Sequence, residues 1–200
     1  MSMELILASN NEKKLKELRE ILKSMGHTVR SQREAGLDFI VEETGRTFLE
    51  NARLKAQAVV DITGAAAIAD DSGLMAEALD GAPGVDSAYY GGDSCKTDRG
   101  RFEYLLRQME GKENRQAKFV STIVCIFPDG REIAARGEWY GELLHAPQGD
   151  GGFGYDPVFY IPELGLTAAE LSSEQKNRLS HRGKALQEFK EKWEKEYVDQ

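Results

Sequence analysis

Cysteine is nearly absent from this chain: Cys95 and Cys125 are the only two in 200 residues. They match no metal-ligand spacing, and an isolated pair makes no disulfide framework. Cys125 lies in an apolar run and reads as a buried thiol, which fits a reducing cytoplasm. Basic residues are also in deficit, with 26 Lys and Arg against 34 Asp and Glu, a net charge of −8. Such a chain repels a nucleic-acid backbone, so no nucleic-acid partner is expected. A small phosphate ligand would still need only a local cluster of cations. No apolar run is long enough to span a membrane, and no membrane partner is expected. Low-complexity segments and internal repeats are missing too. Met1 to Leu7 leads directly into a strand-like segment, without the pattern of a signal peptide. A cytoplasmic protein is therefore expected. At this length the expectation is one domain over 1–200, or two lobes sharing a sheet, with a core that needs neither disulfides nor metals.

What is present is an alternation of short strands and amphipathic helices. Glu4 to Ala8 reads as a strand. A helix follows, with Leu15, Leu18, Leu22 and Met25 on one face, an Asn at its start and Gly26 at its stop. A second strand falls within Thr28 to Gln32. Thr47 and Glu50 form a capping box that opens a second helix ending by Gly64. Ala65 to Ala69 reads as a buried strand that ends at Asp70-Asp71-Ser72-Gly73. Asp98 to Met109 forms a third helix, Lys118 to Phe127 a strand, and Arg131 to Leu144 the returning arm of a hairpin. Val158 to Ile161 is a short strand, and a C-terminal helix starts near Ser180. The pattern predicts an α/β fold of mixed α+β character around a mixed sheet.

Four constellations could carry chemistry. Gly149 to Pro157 places four glycines around Phe153 and closes on Asp156 and Pro157. Taken alone it fits a loop offering backbone and an aromatic face to a flat ligand, and it fits a plain Gly-rich turn equally well. Ser9-Asn10-Asn11-Glu12-Lys13-Lys14 joins a strand to a helix N-terminus, which suits a phosphate, or else is simple N-capping. It lacks the glycines of a Walker A loop. Glu42-Glu43 and Asp70-Asp71 could share a Mg²⁺, which prefers few protein ligands plus water and phosphate. They could equally be a helix-dipole partner and a turn. Lys55, Lys176, His181 and Arg182 are cations near helix ends. A planar guanidinium such as Arg182 suits carbonyl oxygens or phosphate.

Together, and in this order, the pieces resemble the inosine triphosphate pyrophosphatases, also described as XTP/dITP diphosphatases. The similarity covers nearly the whole chain. It runs from Leu7–Lys14 through Glu42–Lys55, Ala69–Leu74 and Gly81–Val85 to Gly151–Phe159, Thr167–Leu171 and Lys176–Gly183. Tyr89 departs from it, standing where a Ser-Ala-Arg-Tyr run carries Arg, and so does Cys95 in place of a small residue.

The resemblance implies an elongated mixed sheet in two lobes with a nucleotide cleft, and a homodimer. It also implies Mg²⁺-dependent hydrolysis of non-standard purine nucleoside triphosphates (ITP, dITP, XTP) to monophosphate and pyrophosphate. By motif, Ser9 to Lys14 and Lys55 would hold the triphosphate, with Ser9, Asn11 and Lys14 foremost. Glu43 and Asp71 would bind Mg²⁺, with Asp70 in support, and Asp71 would accept the proton of the attacking water. Ser72, Phe153, Gly154, Tyr155, Asp156, Lys176, His181 and Arg182 would hold the nucleoside. Arg182 and loop N–H groups are expected to donate to the 6-oxo oxygen of the base. The alternatives are a pyrophosphatase for other modified nucleotides and a nucleotide-binding protein without catalysis.

Overall fold

The computed structural model of the chain describes residues 3–197. Among them β1 (Glu4–Leu7), α1 (Glu12–Ser24), β2 (Thr28–Ser31), α2 (Phe48–Thr63) and β3 (Ala67–Ala76) come first. Then follow α3 (Asp98–Gln108), β4 (Gln116–Ile126), β5 (Glu132–Leu143), β6 (Phe159–Ile161), β7 (Leu166–Thr167), α4 (Ser173–Leu179) and α5 (His181–Tyr197). The strands form one mixed sheet in the order β2-β1-β3-β4-β5-β6-β7. β1 pairs in parallel with β2 and β3, whereas β5, β6 and β7 pair antiparallel. The α/β expectation holds.

Local chemistry sets the helix ends. Asn11 caps α1, its side chain accepting from the N–H groups of Lys13 and Lys14. Thr47 and Glu50 complete the capping box of α2, and Gly64 closes that helix at φ 65°, a left-handed conformation that glycine adopts without strain. Three expectations need correction. β3 does not end at Asp70 but runs through Asp70-Asp71-Ser72-Gly73 to Ala76, because Leu74 and Ala76 pack into a second core and the Asp70 charge is neutralised within the protein. Lys176 lies on its own short helix, α4, with Ser172 as cap, rather than at the start of the last helix. The two-residue strand β7 was not expected; it is too short to show a period.

The chain divides into two units. The first holds residues up to Asp71, Ser121–Gly137 and the chain from His181 onward; the second holds Ser72–Val120 and Glu138–Ser180. β3, β4 and β5 contribute residues to both. Strand alternation builds the first unit in layers. Leu5, Leu7, Ile68, Ile123 and Cys125 pack with Leu15, Leu18 and Leu22 of α1 and Phe189 and Trp193 of α5. Their neighbours Ile6, Ala67, Ala69, Val124 and Ile126 pack with Ala52, Ala56 and Val59 of α2. The second unit gathers Leu74, Phe102, Leu105, Phe119, Trp139, Phe159 and Ile161 into one core. Cys125 is buried and free, as expected. No helix among the described residues is long and apolar enough to cross a membrane.

Candidate active site

Strand alternation also separates the two aspartates of β3. Asp70 has the parity of Ile68 and faces the layer of α1 and α5; Asp71 has the parity of Ala67 and Ala69 and faces α2.

On the first side, Asp70 is completely buried in a chain of alternating charges. Lys14 Nζ lies 2.8 Å from Asp70 Oδ2, and Ser121 Oγ donates to Oδ1 at 2.5 Å. Arg182 Nη2 reaches Oδ2 at 3.3 Å, and its Nη1 donates to Glu17. Lys14 and Glu17 stand one turn apart on α1, so one helix face carries both ends of the chain. Burial alone would push the Asp70 carboxyl up. The Arg182 guanidinium and the Lys14 ammonium outweigh it and hold that carboxyl well below the usual carboxylate range. Mutual neutralisation is what allows a guanidinium with 2 % side-chain exposure.

On the α2 side, Lys55 Nζ is 2.7 Å from Glu43 Oε1, 2.9 Å from Asp71 Oδ1 and 3.0 Å from the Asp70 carbonyl oxygen. These three contacts match the three N–H donors of an ammonium. Gly45 N–H donates to Asn51 Oδ1 at 2.8 Å, which ties the segment carrying Glu43 to α2. A Cβ at Gly45 would lie 2.6 Å from that oxygen, so the approach requires glycine. Burial raises the Asp71 carboxyl, only partly offset by Lys55. Burial would lower the Lys55 ammonium, but Asp71 and Glu43 reverse this and raise it.

The remaining oxygen, Asp71 Oδ2, is buried and makes no hydrogen bond among the described residues. A bare buried carboxylate oxygen is costly, and a cation is the ligand that suits it. No group of three or more His, Cys, Asp or Glu among the described residues could hold a metal. Glu43 and Asp71 are therefore too few for an all-protein cage. They do suit Mg²⁺, which needs one or two carboxylates and takes the rest from water and phosphate.

The Ser9–Lys14 motif is a capped helix start. Ser9 Oγ accepts from Asn11 N–H at 3.1 Å, and Asn11 Oδ1 occupies the N–H groups of Lys13 and Lys14. Asn10 and Glu12 border a cavity of about 450 Å³ with Arg33, Gly36, Leu37 and Asp38. Arg33 is a cation that the motifs do not single out, since it lies in a turn with no pattern around it. Lys13 is exposed, and His181 is buried at the start of α5.

In the second unit Ser72 is half-buried on β3, and Phe153, Gly154, Tyr155, Asp156 and Lys176 come together. Lys176 is buried, with Nζ 4.3 Å from the Phe153 ring centroid and 2.7 Å from Asp156 Oδ2. Asp156 Oδ2 also accepts the N–H of Phe153 at 2.9 Å. Tyr155 is buried, and its hydroxyl donates to the Ser87 carbonyl at 2.7 Å. Tyr155 and Asp156 thus shape the loop from within, and Phe153 is its half-buried aromatic. Arg182 and the loop N–H groups, the donors expected at the 6-oxo oxygen, have partners within the protein. Arg182 is sealed against Asp70 and Glu17, and the N–H groups of Phe153 and Gly154 donate to Asp156 and Asp98. Of the two departures, Tyr89 is exposed and Cys95 is buried against Gly91.

The chain is similar to known proteins over nearly its whole length. A family model described as the Ham1 family matches residues 5–192. A Thermus thermophilus protein named dITP/XTP pyrophosphatase is 51 % identical over 187 residues, covering 92 % of this chain and 88 % of its own. A Photorhabdus laumondii protein of the same name is 49 % identical, covering 90 % and 93 %. The solved structure of a HAM1 protein from Coxiella burnetii superimposes with a TM-score of 0.88 at 40 % identity, covering 96 % of this chain and 99 % of that one.

Proposed function

The chain belongs to the Ham1 family, and on that premise we propose that it hydrolyses dITP, XTP and ITP to the nucleoside monophosphate and pyrophosphate. The names of its relatives support the first two substrates; inosine carries the same base as deoxyinosine. The observation that carries the reading is Asp71, with one oxygen on Lys55 and the other buried and bare, while Glu43 shares the same ammonium.

Glu43 and Asp71 would hold Mg²⁺, which when bound screens the phosphates and lowers the pKa of a water. Asp71 accepts the proton of the attacking water as the α–β anhydride bond breaks and pyrophosphate leaves. Lys55 keeps the two carboxylates convergent, and with its three donors engaged it meets phosphate only by releasing one of them. Lys14 turns to the triphosphate by leaving Asp70, which Arg182 continues to neutralise and Ser121 to hydrogen-bond. Ser9 and Asn11 fix the turn from which Lys14 reaches out.

Phe153 offers a ring face to the purine, a contact worth roughly 1–3 kcal/mol in nucleic-acid systems. Lys176 is a cation at that ring, and its ammonium would face the 6-oxo oxygen. An adenine amino group would set donor against donor there, a mismatch that can discriminate by roughly 10⁴. The homodimer rests on the family resemblance, and the cytoplasmic setting on the scarcity of cysteine.

A pyrophosphate-release assay over dITP, XTP, ITP and ATP tests the whole reading. Turnover of the first three with Mg²⁺, loss of turnover with EDTA, and kcat/KM for ATP lower by at least about 100-fold are expected. Equal turnover of ATP would refute the base selection. Binding of dITP without pyrophosphate release would refute the enzyme.

A further inference from the structure

Asp98 is the first residue of α3, yet the capping of that helix is done by its neighbour. Thr97 is the N-cap, its Oγ1 accepting from Gly100 N–H at 3.0 Å. The Asp98 carboxylate is thereby available for a distant partner. Its Oδ2 accepts the N–H of Gly154 at 2.8 Å, 56 residues along the chain. Its Oδ1 accepts from Arg101 Nη2 at 2.6 Å, and Arg101 Nη1 donates to the Cys95 carbonyl at 3.3 Å.

The consequence lies in the aromatic loop. Gly152 and Gly154 have φ of 68° and 62°, so Phe153 sits between two left-handed glycines. Glycine has more backbone conformations to lose than any other residue, and such a segment does not hold one shape by its own preference. The peptide groups on either side of the Phe153 Cα each donate to a carboxylate: the Phe153 N–H to Asp156 and the Gly154 N–H to Asp98. Both bonds are charge-assisted, the stronger kind. With both flanking peptides fixed, the direction in which the Phe153 side chain leaves the backbone is fixed as well.

We propose that Asp98 is a positioning residue that pre-forms the Phe153 loop, with Arg101 as the counter-charge that holds its carboxylate in place. The proposal deepens the functional reading above and rests on it in one respect, that the loop receives the purine. A loop already in its bound shape spares the ordering cost at binding, so the effect falls on affinity.

The test compares Asp98→Ala, which removes both contacts, with Asp98→Asn, which keeps one acceptor for Gly154. Hydrogen exchange followed by mass spectrometry should show the 149–158 segment exchanging about tenfold faster in Asp98→Ala, the loss of one charge-assisted hydrogen bond. Segments of α1 and α2 should be unchanged, and Asp98→Asn should recover much of the protection. KM for dITP should rise about tenfold while kcat and inhibition by pyrophosphate, which has no base, stay within about threefold. Unchanged exchange in the 149–158 segment of Asp98→Ala overturns the proposal; if the alanine variant does not fold, Asp98→Ser, whose hydroxyl is too short to reach the Gly154 N–H, takes its place, and unchanged exchange there overturns it. Faster exchange with unchanged KM upholds Asp98 as the loop anchor and overturns the reading of the loop as the purine holder.

Discussion

Asp70 and Asp71 are adjacent in the chain and have opposite employments. Asp70 is neutralised by Lys14 and Arg182 and hydrogen-bonded by Ser121; Asp71 keeps one buried oxygen without a hydrogen bond among the described residues. Replacing Asp71 by Asn preserves its shape and one acceptor but removes the proton acceptor and a carboxylate charge. Asp71→Asn should therefore lower kcat for dITP by roughly 10²–10⁴ and leave KM within a few-fold. Steady-state kinetics check this, and a near-normal kcat would take Asp71 out of the chemistry. The thermal midpoint should not fall, since the exchange removes a poorly compensated buried charge. The acidic pair was legible in the sequence, but its division of labour was not, because that depends on which helices cover each face of β3. Arg182 shows the same limit. Its type and its place at a helix start were readable, but its partner Glu17 lies 165 residues away and no local pattern links them.

Elements with local signals were read well. The Asn11 cap, the Thr47–Glu50 capping box and the Gly64 stop each depend on a few neighbouring residues, and α1 and α2 lie where those signals place them. The Asp-Asp-Ser-Gly run is turn-like in composition and predicts an early end to β3; the buried cations and the packing of Leu74 keep it extended. Gly137 on β5 was equally silent. A Cβ there would lie 2.0 Å from the His181 carbonyl oxygen and 2.5 Å from Ala185 N, so the glycine is what lets α5 lie against β5. Gly137→Ala should force the helix outward at a cost of about 1–3 kcal/mol. The midpoint of thermal unfolding should then drop by roughly 2–12 °C for a chain of this size. Because Arg182 rides on the same first turn, kcat/KM should fall too. An unchanged midpoint would mean that the helix has room to spare.

At the scale of the molecule, the −8 charge would repel a polyanionic substrate, so the roles proposed for Lys14, Lys55 and Lys176 are local ones. A different whole-molecule property follows from His27. Its ring is 4.5 Å from that of Trp193 on α5, and its Nδ1 is buried with no hydrogen bond among the described residues. Burial lowers its pKa below the ordinary 6.5. The neutral form is favoured in the folded protein, so its contribution to stability is complete above about pH 6.5 and is lost as the pH falls toward the lowered value. The added slope can reach about 1.4 kcal/mol per pH unit. His27→Phe keeps a ring and removes the proton, so denaturant unfolding at pH 7.5 and 5.5 should show a smaller acid loss than in the parent protein. Parallel losses in the two would clear His27 of any part in acid sensitivity.

The alternation of strands and helices, their caps, the charge balance and the residue types that meet in the chemistry are all written in the amino-acid order, because each depends on neighbours a few positions apart. Folding in three dimensions settles the rest: which aspartate keeps an oxygen without a hydrogen bond and which is neutralised, that Lys55 bridges Glu43 and Asp71, that Lys176 stands over Phe153, and that Asp98 meets the loop. Each of these depends on residues far apart in the chain, brought together by the pairing of strands and the layering of helices on them, which no local spacing records.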